Sequence, residues 1–267
     1  MKSIDLGELA YVALLEEVSL DFKPGLVCAH SNGSHHDMTI ETFKKSAKAL
    51  LPHFQKYQQL AQNHQGTKRE LFDLLRKEGQ AAENSMFEAT QDINTHKGIN
   101  FIMAVLIGAT ALVNPFNEHE IQLTIKDLTK HLYDDFDNLN QQKSLTHGQK
   151  IYLKHGIRGI RQEAMLGFPV LFDYPFSQLV NRPKDDYTFL FGCMQVLTDT
   201  TIIHRSGIEG LHWTQNIAET LSYETIENQF PAINRQFVDR WISPGGSADF
   251  LSAAIFLFKV KQKLKKS

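Results

Sequence analysis

Apolar residues recur at spacings of three and four along most of the chain, which is the period of a helix that buries one face. The segment after Asp37 shows this stripe most clearly, at Ile40, Phe43, Ala47, Leu50, Leu51 and Phe54. Similar stripes predict helices at the N-terminus and around residues 67 to 89, 118 to 141, 144 to 166, 187 to 204, 213 to 227 and 247 to 264. Clean alternation of apolar and polar residues, the mark of a half-buried strand, is hard to find.

The longest apolar run extends from Ile99 to Val113, is interrupted by Asn100, and predicts a buried central helix. It is too short to cross a bilayer, which requires about 20 apolar residues. No linker rich in proline, glycine or serine divides the chain, so one core is expected. We therefore predict an all-α fold, a single compact multi-helix domain that spans residues 1 to 267 around this apolar helix.

Composition identifies the class of protein rather than its function. The chain is 42% apolar and 22% charged, as soluble globular proteins are. Its formal net charge of −2 attracts neither nucleic acid nor an anionic membrane, so any polyanion needs a local basic pocket. The two cysteines, Cys28 and Cys193, match neither a disulfide framework nor a zinc motif. Because the N-terminus lacks the pattern of a secretory signal, a cytoplasmic location is expected.

Five polar segments interrupt the helical pattern, and the first is the glycine-containing loop of residues 24 to 38. It brings His35, His36 and Asp37 to the start of a helix. Asp37 has two interpretations: it caps that helix, or it joins the histidines in binding Mg²⁺ or in moving a proton. The spacing of these residues does not decide between the two.

The second segment, residues 83 to 98, leads directly into the apolar helix. Asn94 or Thr95 is expected to cap this helix, with His96 and Lys97 beside its free backbone N–H groups. A cation placed next to free N–H groups at a helix N-terminus forms an anion site. Simple capping, with a lysine that extends to solvent, is the alternative.

The third segment carries Lys154, Arg158 and Arg161 at positions i, i+4 and i+7. On a continuous helix these cations share one face, where they repel each other unless a polyanion binds. A solvated basic stripe is the alternative. Gly156 and Gly159 favour a ligand, because glycine weakens a helix and lets a ligand approach the backbone.

The last two segments lie towards the C-terminus. One carries Asp199, His204 and Arg205 at the end of an apolar stretch, where Asp199 and Arg205 could instead form a structural ion pair. The other is a Pro-Gly-Gly turn, after which Ser247 is expected as an N-cap and Asp249 in the first helical turn. Together the five segments suit an enzyme that binds a polyphosphate with Mg²⁺.

These motifs, in this order, resemble the triphosphoribosyl-dephospho-CoA synthase family over residues 24 to 251. The resemblance rests on PGLV with its Gly-x-His-x-Asp-Met loop, NTHKG, the Arg-Gly-x-Arg-x-Glu-Ala-x-x-Gly-Phe-Pro run, Asp-Thr-x-x-x-His-Arg and SPGGSAD. It implies an all-α fold and a transferase that joins the triphosphoribosyl part of ATP to the 2′-hydroxyl of 3′-dephospho-CoA, releasing adenine. The family's product is the precursor of the prosthetic group of citrate lyase or malonate decarboxylase, and a separate transferase attaches it to an acyl carrier protein.

The resemblance assigns chemistry to the polar segments. Glu83, Asp37 and Glu163 are the candidate catalytic carboxylates, since displacing adenine creates positive charge on the sugar and the acceptor hydroxyl must lose a proton. Asp37 and Glu83 are also the candidate ligands of Mg²⁺. The candidate nucleotide-binding residues are Asn94, Thr95, His96, Lys97, Lys154, Arg158, Arg161, Asp199, His204, Arg205, Ser247 and Asp249.

Cys28 stands where the family usually has aspartate, and Gln162, Thr201 and Ser206 also depart from the family pattern. Only the change at Cys28 removes an acid. Two other classes compete on the residues alone. One is an all-α metal-dependent phosphohydrolase, which would release phosphate from a nucleotide. The other is a non-catalytic nucleotide-binding protein, against which the carboxylates beside the basic groups argue.

Overall fold

The computed structural model describes residues 4–137, 139 and 145–266, and every regular element in this part of the chain is helical. The described α-helices are α1 (Leu6–Ser19), α2 (Ile40–Asn63), α3 (Lys68–Thr90), α4 (Lys97–Leu112), α5 (Glu118–Thr129), α6 (His147–His155), α7 (Ile160–Met165), α8 (Pro169–Phe172), α9 (Lys184–Val196), α10 (Thr200–Ala218), α11 (Tyr223–Asp239) and α12 (Gly245–Lys265). Short 3₁₀ helices lie at Leu132–Phe136 and Pro175–Ser177. The predicted all-α fold is confirmed.

The apolar run forms α4, the predicted buried central helix. Helices α1, α2, α3, α5, α7 and α12 all pack against it, so it lies in the larger of two apolar cores. A helix that is apolar on all sides is stable only when neighbours cover every side, and six helices do so here. None of the described helices is long and apolar enough to cross a membrane.

Asn100, which interrupts the apolar run, is buried and links α4 to two neighbouring helices. Its side-chain oxygen accepts a hydrogen bond from the Tyr57 hydroxyl on α2 at 2.7 Å, and its amide donates to the Gly79 carbonyl on α3 at 3.0 Å. A buried polar group costs free energy unless it is paired. These bonds therefore explain how asparagine is tolerated here, and they fix α2 and α3 against the first turn of α4.

Several predicted helices are interrupted. The segment from 144 to 166 divides into α6 and α7, because Gly156 and Gly159 have φ angles of +71° and +55°, a left-handed backbone that ends a helix. The segment from 118 to 141 forms α5 and then a 3₁₀ helix, with residues 138, 140 and 141 outside the described part. The segment from 187 to 204 divides into α9 and α10, and the segment from 213 to 227 divides into α10 and α11.

Three helix caps differ from those predicted. The N-cap of α4 is His96, so the prediction of Asn94 or Thr95 at this position is wrong. Thr39 caps α2 through its hydroxyl, which accepts the backbone N–H of Thr42, so the interpretation of Asp37 as the cap is wrong. Helix α12 begins at Gly245, so Ser247 lies inside its first turn and is not the N-cap. In all three cases the N-cap lies one to three residues away from the side chain expected there.

Candidate active site

A cavity of about 540 Å³, here called the large cavity, opens between α3, α4, α6, α7 and the 3₁₀ helix at Leu132–Phe136. Its volume lies within the range of small-molecule sites in proteins, roughly 300–1,000 Å³. Its apolar wall consists of Phe72, Leu75, Phe101, Ala104 and Val105. The rest of the lining is mostly polar and charged, so the cavity suits a ligand that combines a ring with a charged group.

Three cations reach the large cavity, and each one pairs with a carboxylate. Lys97 Nζ lies 3.0 Å from Glu83 Oε2. Arg76 and Arg161 both donate to Asp135, at 2.6 and 2.9 Å from its Oδ2. The side chains of all three cations are partly exposed, so these pairs contribute little to folding. They can therefore exchange a carboxylate for a phosphate group.

The turn between α3 and α4 fixes the position of Lys97. Thr95 donates to Ser46 Oγ on α2 at 2.7 Å, and His96 Nδ1 lies 2.6 Å from the same oxygen. Burial lowers the pKa of His96 to about 3, which keeps its ring neutral. Asn94 Oδ1 accepts the backbone N–H of Lys97 at 3.4 Å. The NTHKG motif thus anchors the start of α4 to α2. Among Asn94, Thr95, His96 and Lys97, only Lys97 lines the large cavity.

The protein itself occupies part of the anion site predicted at the N-terminus of α4. The Asp249 carboxylate on α12 accepts the backbone N–H of Ile99, and burial raises the pKa of Asp249 well above its usual range. A Cβ atom on residue 98 would lie only 2.1 Å from Asp249 Oδ2, so Gly98 is required for this approach. Anion binding near α4 consequently depends on the Lys97 side chain.

A second cavity of about 90 Å³, here called the small cavity, shares α4 and α7 with the large cavity. Gly98 and Glu163 line the small cavity, whereas Lys97 and Arg161 line the large one. Glu163 Oε2 is buried and has no hydrogen-bond partner among the described residues. Burial raises the pKa of Glu163 to about 7. A carboxyl group with this pKa can give or take a proton near neutral pH.

Asp199 also lines the small cavity, but its oxygens already accept backbone hydrogen bonds. Oδ1 accepts the N–H groups of Thr201 and Ile202, which caps α10. Oδ2 accepts the N–H of Gly246 in the first turn of α12 at 2.9 Å. Asp199 therefore binds the N-termini of both α10 and α12, and it positions these two helices relative to each other.

The basic stripe predicted at Lys154, Arg158 and Arg161 does not form, because α6 and α7 are separate helices. Lys154 is exposed in the last turn of α6. The Arg158 guanidinium lies 4.7 Å from the ring centroid of Tyr133 and 5.0 Å from that of Tyr152. Of the three cations, only Arg161 lines the large cavity.

Asp37 is exposed and does not line the large cavity, so the structure does not place it in one site with Glu83. Asp37 interacts electrostatically with Arg205 of α10. The Arg205 guanidinium donates to the Ser34 carbonyl and lies 4.5 Å from the Trp241 ring centroid. Arg205 thus pairs with this loop and forms no ion pair with Asp199. Within the described residues, no three His, Cys, Asp or Glu side chains lie close enough together to hold a metal ion.

Cys28 is buried in the first loop, where its backbone N–H donates to the Ser31 carbonyl at 2.8 Å. Its thiol is free, as is that of Cys193, so the absence of a disulfide between them agrees with the sequence. The other end of the loop is held by His35, whose Nε2 lies 2.8 Å from Ser243 Oγ. Burial lowers the pKa of His35 to about 4.

Eight of the predicted nucleotide-binding residues line neither cavity: Asn94, Thr95, His96, Lys154, Arg158, His204, Arg205 and Ser247. His204 lies exposed on α10 and stacks on His147 of α6, with ring centroids 3.6 Å apart. Ser247 is buried, and its Oγ has no hydrogen-bond partner among the described residues.

Sequence reasoning missed Arg76 and Asp135. Helix α3 places Arg76, Gly79, Gln80 and Glu83 at positions i, i+3, i+4 and i+7, and all four line the large cavity. This polar stripe on one helix face is a signal that could have found Arg76. Asp135 has no comparable signal, because its two partners are 59 and 26 residues away in the chain.

The chain matches the family described as CitG, ATP:dephospho-CoA triphosphoribosyl transferase, over residues 3–267. A protein of Streptococcus equi subsp. zooepidemicus (strain H70), named probable 2-(5''-triphosphoribosyl)-3'-dephosphocoenzyme-A synthase, is 37% identical over 289 aligned positions, which cover 97% of this chain and 98% of that protein. A protein of the same name from Streptococcus mutans serotype c is 36% identical and covers 98% of both chains. No solved structure matches the chain.

Proposed function

The chain belongs to the ATP:dephospho-CoA triphosphoribosyl transferase family, and we propose that it uses the large cavity to join the triphosphoribosyl part of ATP to the 2′-hydroxyl of 3′-dephospho-CoA. In this reaction the bond between C1′ and adenine N9 breaks, and a bond between C1′ and the acceptor oxygen forms. The acceptor hydroxyl loses its proton, and adenine leaves with one. The observation that carries the proposal is a single cavity with three cations, three carboxylates and an apolar wall.

In this proposal the triphosphate binds to Arg76, Lys97 and Arg161. Each of these cations is paired with a carboxylate in a partly exposed position, so phosphate oxygens can take the place of the carboxylates without burying an unpaired charge. The adenine ring then lies against the apolar wall, where Phe72 and Phe101 provide aromatic surface.

Glu83 is the carboxylate that stabilises the sugar. Its partner in the structure is Lys97, and the triphosphate takes over that ammonium group when ATP binds. The carboxylate is then free to face C1′, where positive charge develops as the bond to adenine breaks. In this proposal Lys97 thus binds phosphate, and Glu83 stabilises the transition state.

Glu163 is our candidate for proton transfer. Its pKa of about 7 suits a group that removes the proton of the acceptor hydroxyl and returns it at the end of a turnover. It lies on a different face of α7 from Arg161 and lines the small cavity, so in this proposal the acceptor approaches from the side of the small cavity. Asp37, the third candidate carboxylate, is exposed on the first loop and is less suited to this role.

Mg²⁺ belongs to the proposal as the counter-ion of ATP. Mg²⁺ is usually held by one or two carboxylates together with substrate phosphates, and it rarely occupies a cage built by the protein alone. Three carboxylates line the large cavity and are available to the ion, those of Glu83, Asp134 and Asp135. When bound, the ion would neutralise phosphate charge.

The substrates and the product indicate which enzyme acts next and where in the cell the reaction takes place. The product is expected to pass to a second transferase that modifies the acyl carrier protein of citrate lyase or malonate decarboxylase. Both substrates are intracellular nucleotides, and the two free, buried cysteines suit a reducing compartment. These facts support a cytoplasmic location. The net charge of −2 supports no role for nucleic acid or a membrane.

Incubation with ATP, Mg²⁺ and 3′-dephospho-CoA, followed by chromatography for free adenine, tests the proposed function. Adenine is expected only when both nucleotides are present, because the acceptor hydroxyl must be held against C1′. Release of phosphate without adenine would contradict the proposal and would favour the phosphohydrolase, for which neither the family nor the relatives provide support.

A further inference from the structure

A cluster of basic side chains lies between α6 and α10. His147, the first residue of α6, stacks on His204 of α10 with ring centroids 3.6 Å apart and ring planes at 21°. Burial lowers the pKa of His204, and the nearby His147, Arg205 and Lys150 lower it further. The cluster of His147, Lys150 and His204, here called the basic cluster, therefore brings several hydrogen-bond donors to one place.

No acid compensates the basic cluster. Within the described part of the chain, its three side chains form no ion pair with any carboxylate, and the remaining residues of the sequence include no aspartate or glutamate. Stacked imidazoles beside cations are unfavourable when protonated unless an anion lies next to the pair. Uncompensated donors at one point are typical of a site that recognises phosphate.

The basic cluster lies one helix away from the large cavity. In the first turn of α6, Thr146 and Gln149 line the large cavity, whereas the adjacent positions His147 and Lys150 belong to the basic cluster. An α-helix with its side chains is about 10–12 Å across. Two phosphate-bearing ligands, one in each place, would lie side by side.

We propose that His147, Lys150 and His204 bind the diphosphate of the second substrate, 3′-dephospho-CoA. This inference rests on the proposed function, which needs two nucleotides held next to each other. The three cations of the large cavity are sufficient for one triphosphate, so a second phosphate group requires donors of its own. With its diphosphate at the basic cluster, the acceptor lies next to the cavity in which C1′ of ATP is expected.

Binding of 3′-dephospho-CoA and of ATP, each measured alone by titration calorimetry, tests the inference on His204→Gln and Lys150→Ala. Each change is expected to weaken dephospho-CoA binding about tenfold or more, as the loss of one hydrogen bond to a charged group does, and to leave ATP binding unchanged. His212→Gln is the control, since His212 is exposed on α10 eight residues after His204 and beyond the kink at Gly207. It should bind both nucleotides as the wild type does.

Two results would overturn the inference. Unchanged affinity for both nucleotides in folded variants would make the basic cluster an ordinary solvated patch, and weaker binding of ATP alone would assign it to the other substrate. Both results are independent of turnover. If the wild-type protein releases adenine but the variants bind dephospho-CoA normally, only the inference fails, whereas a wild-type protein that releases no adenine contradicts the proposed function.

Discussion

At the scale of single residues, the ionisation of Glu163 affects both the free energy of unfolding and the proposed proton transfer. Burial raises its pKa from 4.5 to about 7, so between these values the folded protein holds a proton that the unfolded chain has released. The free energy of unfolding therefore falls as pH rises from about 4.5 to about 7, and this contribution stays constant above that range. Keeping Glu163 ionised in the folded protein costs roughly 3 kcal/mol.

Glu163→Gln should consequently change activity and stability in opposite directions. Glutamine cannot transfer the proton, so adenine release should fall roughly 100-fold or more. Because glutamine is never ionised, the variant should be more stable than the wild type at pH 8, by up to about 3 kcal/mol, and the difference should shrink towards pH 5. Denaturant unfolding at both pH values, measured beside the rate of adenine release, checks this. A stabilised variant with full activity would show that Glu163 has no part in proton transfer.

The sequence predicts Glu83 and Lys97 as site residues, but it does not show that their side chains pair with each other. A cation at the start of an apolar helix is unusual enough to be recognised from the sequence alone. Asp135 and Arg76 come together only when α3 packs near the 3₁₀ helix at Leu132–Phe136. His96 shows the opposite case: it was predicted to bind nucleotide, yet it is buried against Ser46, because a sequence pattern does not show which polar loop residues become buried.

At the scale of elements, helical periodicity predicted where helices occur but not where they break. Gly156 and Gly159 were interpreted as openings for a ligand within one helix. Their left-handed backbones instead end α6 and precede α7, so Arg158 lies between the two helices and Arg161 lies on α7. Both guanidinium groups lie near the Phe136 ring, but only Arg161 lines the large cavity.

Arg161→Ala and Arg158→Ala should differ for this reason. Arg161 lines the large cavity, so its loss should weaken ATP binding about ten- to a hundredfold, as the loss of a charge-assisted hydrogen bond to phosphate does. Arg158 packs on Tyr133 and Tyr152, so its loss should leave ATP affinity unchanged and lower stability by about 1 kcal/mol. Calorimetric titration with ATP and thermal unfolding of both variants separate these effects. Equal loss of ATP affinity in the two variants would show that both arginines bind ATP, as the single basic stripe predicts.

At the scale of the whole molecule, α4 organises both the core and the site. Its apolar length lies in the larger core, and its first turn contributes Lys97 to the large cavity and Gly98 to the small one. The all-α fold and the central helix could be predicted, because both depend on local patterns of apolar residues. The grouping of the site residues into two cavities and a surface cluster could not, because it depends on how distant helices pack.

In the proposed reaction, adenine leaves ATP in the large cavity, beside the carboxylate of Glu83. Steady-state adenine release by Glu83→Gln, measured over a range of ATP concentrations, tests this most directly, because glutamine keeps the size of the side chain but removes its charge. We expect kcat to fall roughly 100-fold or more with little change in KM for ATP, as for an interaction made mainly in the transition state. Lys97→Ala, the companion variant, should instead raise that KM. A wild-type kcat in folded Glu83→Gln would contradict the account.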